Sequence, residues 1–175
     1  GEVTLADDVR VGAYCVLRNV HIGPRTELFP FCHFDGATVG AGCRVGPFAR
    51  MRPGAMLDED VHLGNFVEVK ASRVGAGAKA NHLAYIGDAT VGARTNIGAG
   101  AIVANYDGAN KHPTVIGDGV FIGSNCVLVA PITIGAGGTI GGGSTVNKST
   151  EPGALTVARG RQVSFPNWKR PQKKK

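Results

Sequence analysis

Aromatic side chains make up only 6% of this 175-residue chain, so a core large enough for one domain must be filled by small and aliphatic side chains. No stretch approaches the 18 or more consecutive apolar residues of a membrane-spanning helix, and no secretory signal is visible; neither a membrane nor an export pathway is expected as a partner. Glycine is abundant, yet there is no Gly-X-Y triplet and no glycine–serine run, which excludes collagen and a flexible linker. Acidic residues are absent from Thr156 onward, where seven basic residues lie (Arg159, Arg161, Lys169, Arg170, Lys173, Lys174, Lys175). The rest carries 12 basic and 13 acidic residues, a net of −1, so the body is not a nucleic-acid surface. The tail could grip a phosphate-rich ligand, or be solvated and partly disordered over its last three lysines. The chain begins at Gly1 inside an apparent repeat unit and without Met, which reads as a fragment lacking a preceding domain.

What is present is a beat. An aliphatic residue followed by Gly or Ala recurs at Ile86-Gly87, Val91-Gly92, Ile97-Gly98 and Val103-Ala104. Extended outward, the first positions run from Leu5, Val11, Leu17 and Ile22 through Val103, then resume at Ile116 and continue to Val146. Steps are six residues with occasional fives, a period that 3.6 residues per turn does not divide. A short strand plus a corner fits it, and three such units make one coil of a parallel β-helix. First positions 22, 39, 57, 74 and 91 should stack in one column, 28, 45, 63, 80 and 97 in another, and 34, 51, 69, 86 and 103 in the third. Neighbouring coils should lie about 4.8 Å apart.

Four residues after each first position the chain places small or β-branched residues, two apart across the unit boundary and so on the same inward face. All four cysteines (Cys15, Cys32, Cys43, Cys126) fall there. They read as small core hydrophobes, reduced and unpaired, rather than as a disulfide or zinc set, which fits a cytoplasmic protein. The coil should end near Glu151-Pro152-Gly153, giving a repeat domain over 1–154 and a basic tail over 155–175. The beat breaks once: thirteen residues separate Val103 from Ile116 where six are due. The excess is an extruded loop, about 104–115, with Asp-Gly and His-Pro turn signals; loops on rigid scaffolds commonly carry function.

The second position of a unit is normally small, but it is Arg in Met51-Arg52 and Lys in Val69-Lys70, one full coil apart. Two stacked cations are unfavourable unless an anion sits between them. Tyr85 and Asn105 should line the same edge and Lys111 should reach it from the loop, giving a phosphate-binding character. The alternative is surface charge paired with Glu68 or Asp88. Of five histidines, His82 points outward on the coil that carries Tyr85; His21 is at an inward position, His33 and His62 precede unit boundaries, and His112 is in the loop. No H-x-x-x-H spacing occurs, so a histidine zinc site is poorly supported and no metal is expected.

With these residues in place, the chain resembles the C-terminal acetyltransferase domain of the bifunctional bacterial N-acetylglucosamine-1-phosphate uridylyltransferase/glucosamine-1-phosphate acetyltransferase family. The likeness rests on VGPFARMRPGA at 45–55, GNFVEVK at 64–70, HLAY at 82–85, NIGAG at 96–100, NYDGANK at 105–111, FIGS at 121–124 and the WKRP-x-KKK ending. It implies an all-β, left-handed parallel β-helix, a hand that the period alone does not decide. It further implies a homotrimer with sites between subunits, and transfer of acetyl from acetyl-CoA to the amine of glucosamine 1-phosphate for UDP-N-acetylglucosamine and cell-envelope precursors. By motif, His82 would be the general base and Asn105 would orient substrate or donor. Arg52, Lys70, Tyr85, Asn96 and Lys111 would hold the sugar phosphate. Ala99, Asn105, Tyr106, Ser124, Gly142 and Arg159 would contact acetyl-CoA. Gly142 stands where the family pattern has Ala, and Ala84 where it has Thr. The uridylyltransferase domain is absent from this sequence. A serine or xenobiotic acetyltransferase, a zinc-dependent carbonic anhydrase and a non-catalytic scaffold share the coil; the NYDGANK loop with the cation pair favours a phosphosugar.

Overall fold

A computed structural model describes residues 1–171 and Lys173, and among them are 25 short strands and no helix. Every strand pair is parallel, and the strands fall into three sheets in which sequence order advances by three, except for a step of two from Thr139–Ile140 to Leu155–Thr156. One coil illustrates the plan. Arg73–Val74 lies on the first face, Lys79–His82 on the second and Tyr85–Gly87 on the third. We call the turn from first to second face the first corner, from second to third the second corner, and from third back to first the third corner.

The register puts the anticipated columns in place. Val39 pairs with Leu57 and Val74 with Val91 on the first face, Leu63 with Ala80 on the second, and Met51 with Val69 and Val69 with Ile86 on the third. Strand alternation turns each of these inward, so the residues before and after face out. From Ile22 to Val146 every first position is buried. Leu5 and Val11 are 46% and 42% exposed because no coil lies beneath theirs. Cys32, Cys43 and Cys126 are buried, Cys15 is half-buried, and all four are free. Burial pushes the Cys32 and Cys43 thiols up to about 11.

Corners come in two kinds. At Gly98 an added Cβ would lie 2.6 Å from the Gly123 carbonyl carbon on the next coil, so the stacked backbones exclude a side chain there. Two residues on, the second corner takes a left-handed turn whose side chain points to solvent. That site holds Tyr14, Phe31, Phe48, Phe66 and Leu83, all at φ between 52° and 65°. The four rings stack, with centroids 5.1, 5.0 and 5.4 Å apart. This ladder escaped the sequence reading, although its spacing of 17 or 18 residues was there to be read.

Two expectations need correction. His21 points outward between buried Val20 and Ile22. Its unit is five residues long, so alternation assigns the inward place to Val20. The coil also runs past residue 154: Leu155–Thr156 pairs with Thr139–Ile140, and Thr145 N donates to Ala158 O. The last turn is two residues short and puts Thr150 opposite Ile134 and Thr156 opposite Ile140, so the aliphatic beat fades before the backbone stops coiling. Beyond Ala158 the described residues are exposed; Lys174 and Lys175 lie outside the described residues.

Candidate active site

Arg52 and Lys70 leave the third face at the third corner on adjacent coils, since Met51 pairs with Val69 and Arg52 N donates to Val69 O. Their heads share one side of the molecule, and the anions beside them are the protein's own. Arg52 Nη1 lies 2.9 Å from Glu68 Oε1, and Lys70 Nζ lies 3.0 and 3.1 Å from the two oxygens of Asp88. Both pairs are partly exposed, so each stabilises the fold by no more than about 1 kcal/mol. The stacked-cation geometry and the pairing with Glu68 and Asp88 are therefore both real. Asn105 is buried, and its amide donates to Asp88 and lies 3.4 Å from Tyr85 Oη. Tyr85, on the third face, occupies the rung next to Glu68.

The extruded loop folds on itself. Asp107 accepts from Ala109 N and Asn110 N at 2.8 and 2.7 Å and lies 2.6 Å from His112 Nε2. The Asn110 backbone bond, then His112 and the Ala109 bond, hold its carboxyl well below the usual carboxylate range. His112 N donates back to Asn105 O. Lys111 lies 3.9 Å above the Tyr106 ring, a cation–π contact. Hence Lys111 does not reach Arg52 or Lys70 within the chain, contrary to the sequence expectation, because the hairpin turns it onto Tyr106.

The second corner carries the other group. His82 ends the strand Lys79–His82 and is exposed, with its Nδ1 3.1 Å from Oδ1 of Asn65, its register partner on the coil below. With Asn65 Oδ1 as the acceptor of Nδ1–H, a neutral His82 ring would have Nε2 as its basic nitrogen. Ala99, Ser124 and Gly142 occupy this corner on successive coils: Gly100 N donates to His82 O, Asn125 N to Ala99 O and Gly143 N to Ser124 O. Arg159 reaches back to it, Nη1 donating to Gly142 O at 2.6 Å. Between this column and the third corner lies the outer row of the third face, where Glu68 and Tyr85 are half-exposed.

Asn96 does not join either group. It opens the second face beside Lys79 and Phe121, at the first corner, because three units per coil put residues 82 and 96 on different corners. Asn65 was missed as a site residue; its signal was its position 17 residues before His82. Among the described residues no group of three or more His, Cys, Asp or Glu is placed to hold a metal, and no helix is long and apolar enough to cross a membrane.

The bacterial transferase hexapeptide (six repeats) family matches residues 113–148. The bifunctional protein GlmU of Acidovorax sp. (strain JS42) is 64% identical over 177 residues, covering 99% of this chain and 37% of that protein. Among solved structures, the Francisella novicida UDP-N-acetylglucosamine acyltransferase superposes with TM-score 0.66 at 18% identity, over 89% of this chain and 65% of that one. PerB from Caulobacter crescentus, in complex with CoA and GDP-perosamine, gives 0.51 at 23% identity, over 66% and 51%. At such identities these two establish the fold alone. The chain spans somewhat over a third of the length of the curated relatives it matches, and from end to end it matches the C-terminal part of bifunctional GlmU, with the bacterial transferase hexapeptide repeat present.

Proposed function

We propose that this chain transfers the acetyl group of acetyl-CoA to the amine of glucosamine 1-phosphate, in the cytoplasm, as a homotrimer. One observation carries the reading: His82, exposed and held at Nδ1 by Asn65, stands one face-width from the Arg52–Lys70 edge. An amino sugar bearing a phosphate fits that span, with its anion on the cations and its amine toward the imidazole. Identity to GlmU supports the choice of substrate.

The site residues act as follows. Arg52 and Lys70, held by Glu68 and Asp88, take the phosphate on their free donors, and Tyr85 adds a hydroxyl. The column of Ala99, Ser124, Gly142 and Arg159 holds acetyl-CoA; its small side chains leave a shelf along the second corner, and CoA bound to PerB on a like coil agrees with this. Acetyl-CoA supplies an activated acyl group when bound. The sugar amine attacks as the neutral base. The new C–N bond forms, the C–S bond breaks, and His82 takes the proton from nitrogen and passes it to the departing sulfur, so that CoA leaves as the thiol. Backbone N–H groups near Ser124 or Tyr106 are candidates to stabilise the carbonyl oxygen, at about 3 kcal/mol per donor.

Asn96 and Lys111, set apart within one chain, enter the site from neighbouring copies, and Tyr106 with them. The exposed aromatic ladder, which runs along the second corner up to His82, is the face a copy would cover. The test is thiol release from acetyl-CoA with glucosamine 1-phosphate, serine and glucosamine as acceptors, together with sedimentation. Release with glucosamine 1-phosphate alone supports the reading; equal release with serine, or none with any acceptor, rejects it.

A further inference from the structure

We propose that Asp88 is a positioning residue of the acceptor site. It fixes the Lys70 ammonium and the Asn105 amide on one side of the third corner and pins both ends of the extruded loop to the cation edge. The proposal rests on the acetyl-transfer reading above for its catalytic consequence, but not for its structural one.

Asp88 is the residue on which three coils and the loop converge. Its N–H donates to Lys70 O at 3.0 Å, tying it to the coil below. Its carboxylate receives Lys70 Nζ on both oxygens. On the loop side, the same carboxylate accepts from Asn105, the first residue of the excursion. The return is held by the backbone: Thr114 N donates to Asp88 O at 3.1 Å, where Thr114–Ile116 rejoins the first face beside Ala89–Val91. One residue therefore grips the loop where it leaves and where it comes back. The residue itself sits at φ 51°, a left-handed conformation that aspartate tolerates better than most.

The preceding residue explains how the cluster fits. An added Cβ at Gly87 would lie 2.7 Å from Asn105 Nδ2 and 2.7 Å from Tyr85 Cζ. Only a glycine lets the phenol and the amide close over the strand and reach the carboxylate. Without Asp88, Lys70 would be a flexible four-carbon chain with many rotamers, and Asn105, buried, would lose its charged acceptor. A phosphate binding there would then have to order both.

The test compares wild type with Asp88→Ala, Asp88→Asn, Lys70→Ala and the Lys70→Ala/Asp88→Ala pair. Asp88→Ala should raise KM for glucosamine 1-phosphate about tenfold and lower kcat severalfold, with KM for acetyl-CoA nearly unchanged. Asp88→Asn keeps an acceptor for Asn105 and loses the charge for Lys70, so it should restore kcat and leave KM raised. The double variant should have about the KM of Lys70→Ala alone, because the two act as one unit. A KM equal to or below wild type in Asp88→Asn, or full additivity in the pair, overturns the proposal: Asp88 would then be a competitor of phosphate or a bystander. Hydrogen exchange reads the structural half without substrate. In Asp88→Ala, which removes the acceptor of Asn105, the His112 and Thr114 amides should exchange at least tenfold faster, and in Asp88→Asn much less so, while core amides such as that of Ile86 stay protected; unchanged loop exchange in Asp88→Ala also overturns it. If wild type proves inactive on glucosamine 1-phosphate, the acetyl-transfer reading falls, and the exchange result alone decides the role of Asp88.

Discussion

The lower and upper halves of the second corner follow one backbone path and carry opposite side chains. Tyr14, Phe31, Phe48, Phe66 and Leu83 occupy the left-handed position on the lower coils; Gly100, Asn125 and Gly143 occupy it above, with φ between 54° and 73°. The conformation is the same, so it does not choose the residue. Below His82 the corner stacks large apolar groups in the open, which suits contact with another protein surface. Above His82 it is stripped to glycine and asparagine, which suits a slender ligand lying along it. The histidine stands where one use gives way to the other.

The strongest way to break this comparison is at the junction. His82→Ala should lower kcat by about 10² to 10⁴-fold, with the fold intact by circular dichroism; near-normal turnover at every pH would remove the junction's meaning. Next, Asn125→Phe extends the ladder onto the upper half. It should raise KM for acetyl-CoA by roughly tenfold or more through steric clash and leave KM for the sugar phosphate alone; an unchanged acetyl-CoA KM would mean that the shelf is not the donor site. Phe48→Ser cuts two ring stacks, at 5.0 and 5.4 Å. About 1–3 kcal/mol of contact energy is at stake, at 0.5–1.5 per pair, and sedimentation should show dissociation already at higher protein concentration than for wild type.

Smaller effects sharpen the contrast with the rest of the molecule. In the native protein a disulfide reagent at pH 8 should reach no thiol but Cys15, and all four in denaturant. Cys32 and Cys43 are pushed up to about 11 and buried, so reaction of either would mean that the coil opens. The loop should show the least change. Asp107 titrates below its ordinary value of about 3.9 because Asn110, His112 and Ala109 bind its charged form. Its contribution to loop order is therefore complete above that ordinary value and is lost as pH falls through the depressed one. Loop hydrogen exchange, corrected for intrinsic rate, should be flat from pH 8 to 5 for this carboxylate, and a step inside that window would contradict it.

The three columns were legible because each coil repeats the same problem. A narrow interior accepts only one aliphatic and one small residue per face, so the period survives in the residue types from Ile22 to Val146. The neighbouring cations could be read for the same reason, since residues 18 apart must be stacked at Met51-Arg52 and Val69-Lys70. His21 was misplaced because a five-residue unit shifts the inward phase by one. The last coil was misjudged because Thr150 and Thr156 are polar, though their backbones still pair. Asn96 was read as one site with Arg52 from motif alone, and Lys111 from the reach of its loop; spacing gives a corner, Asn96 belongs to a different one, and a loop outside the repeat has no spacing to place Lys111.

What the sequence determined by itself is the solenoid, its stacking order and which residues face out, because period and residue size are local properties repeated along the chain. What only the tertiary structure decided is which partners those outward groups choose. Arg52 takes Glu68, Lys70 and Asn105 share Asp88, Asn65 orients His82, and Lys111 turns to Tyr106. Each choice is made between coils, or within a loop free of the repeat, where side chains meet by rotamer and distance rather than by period.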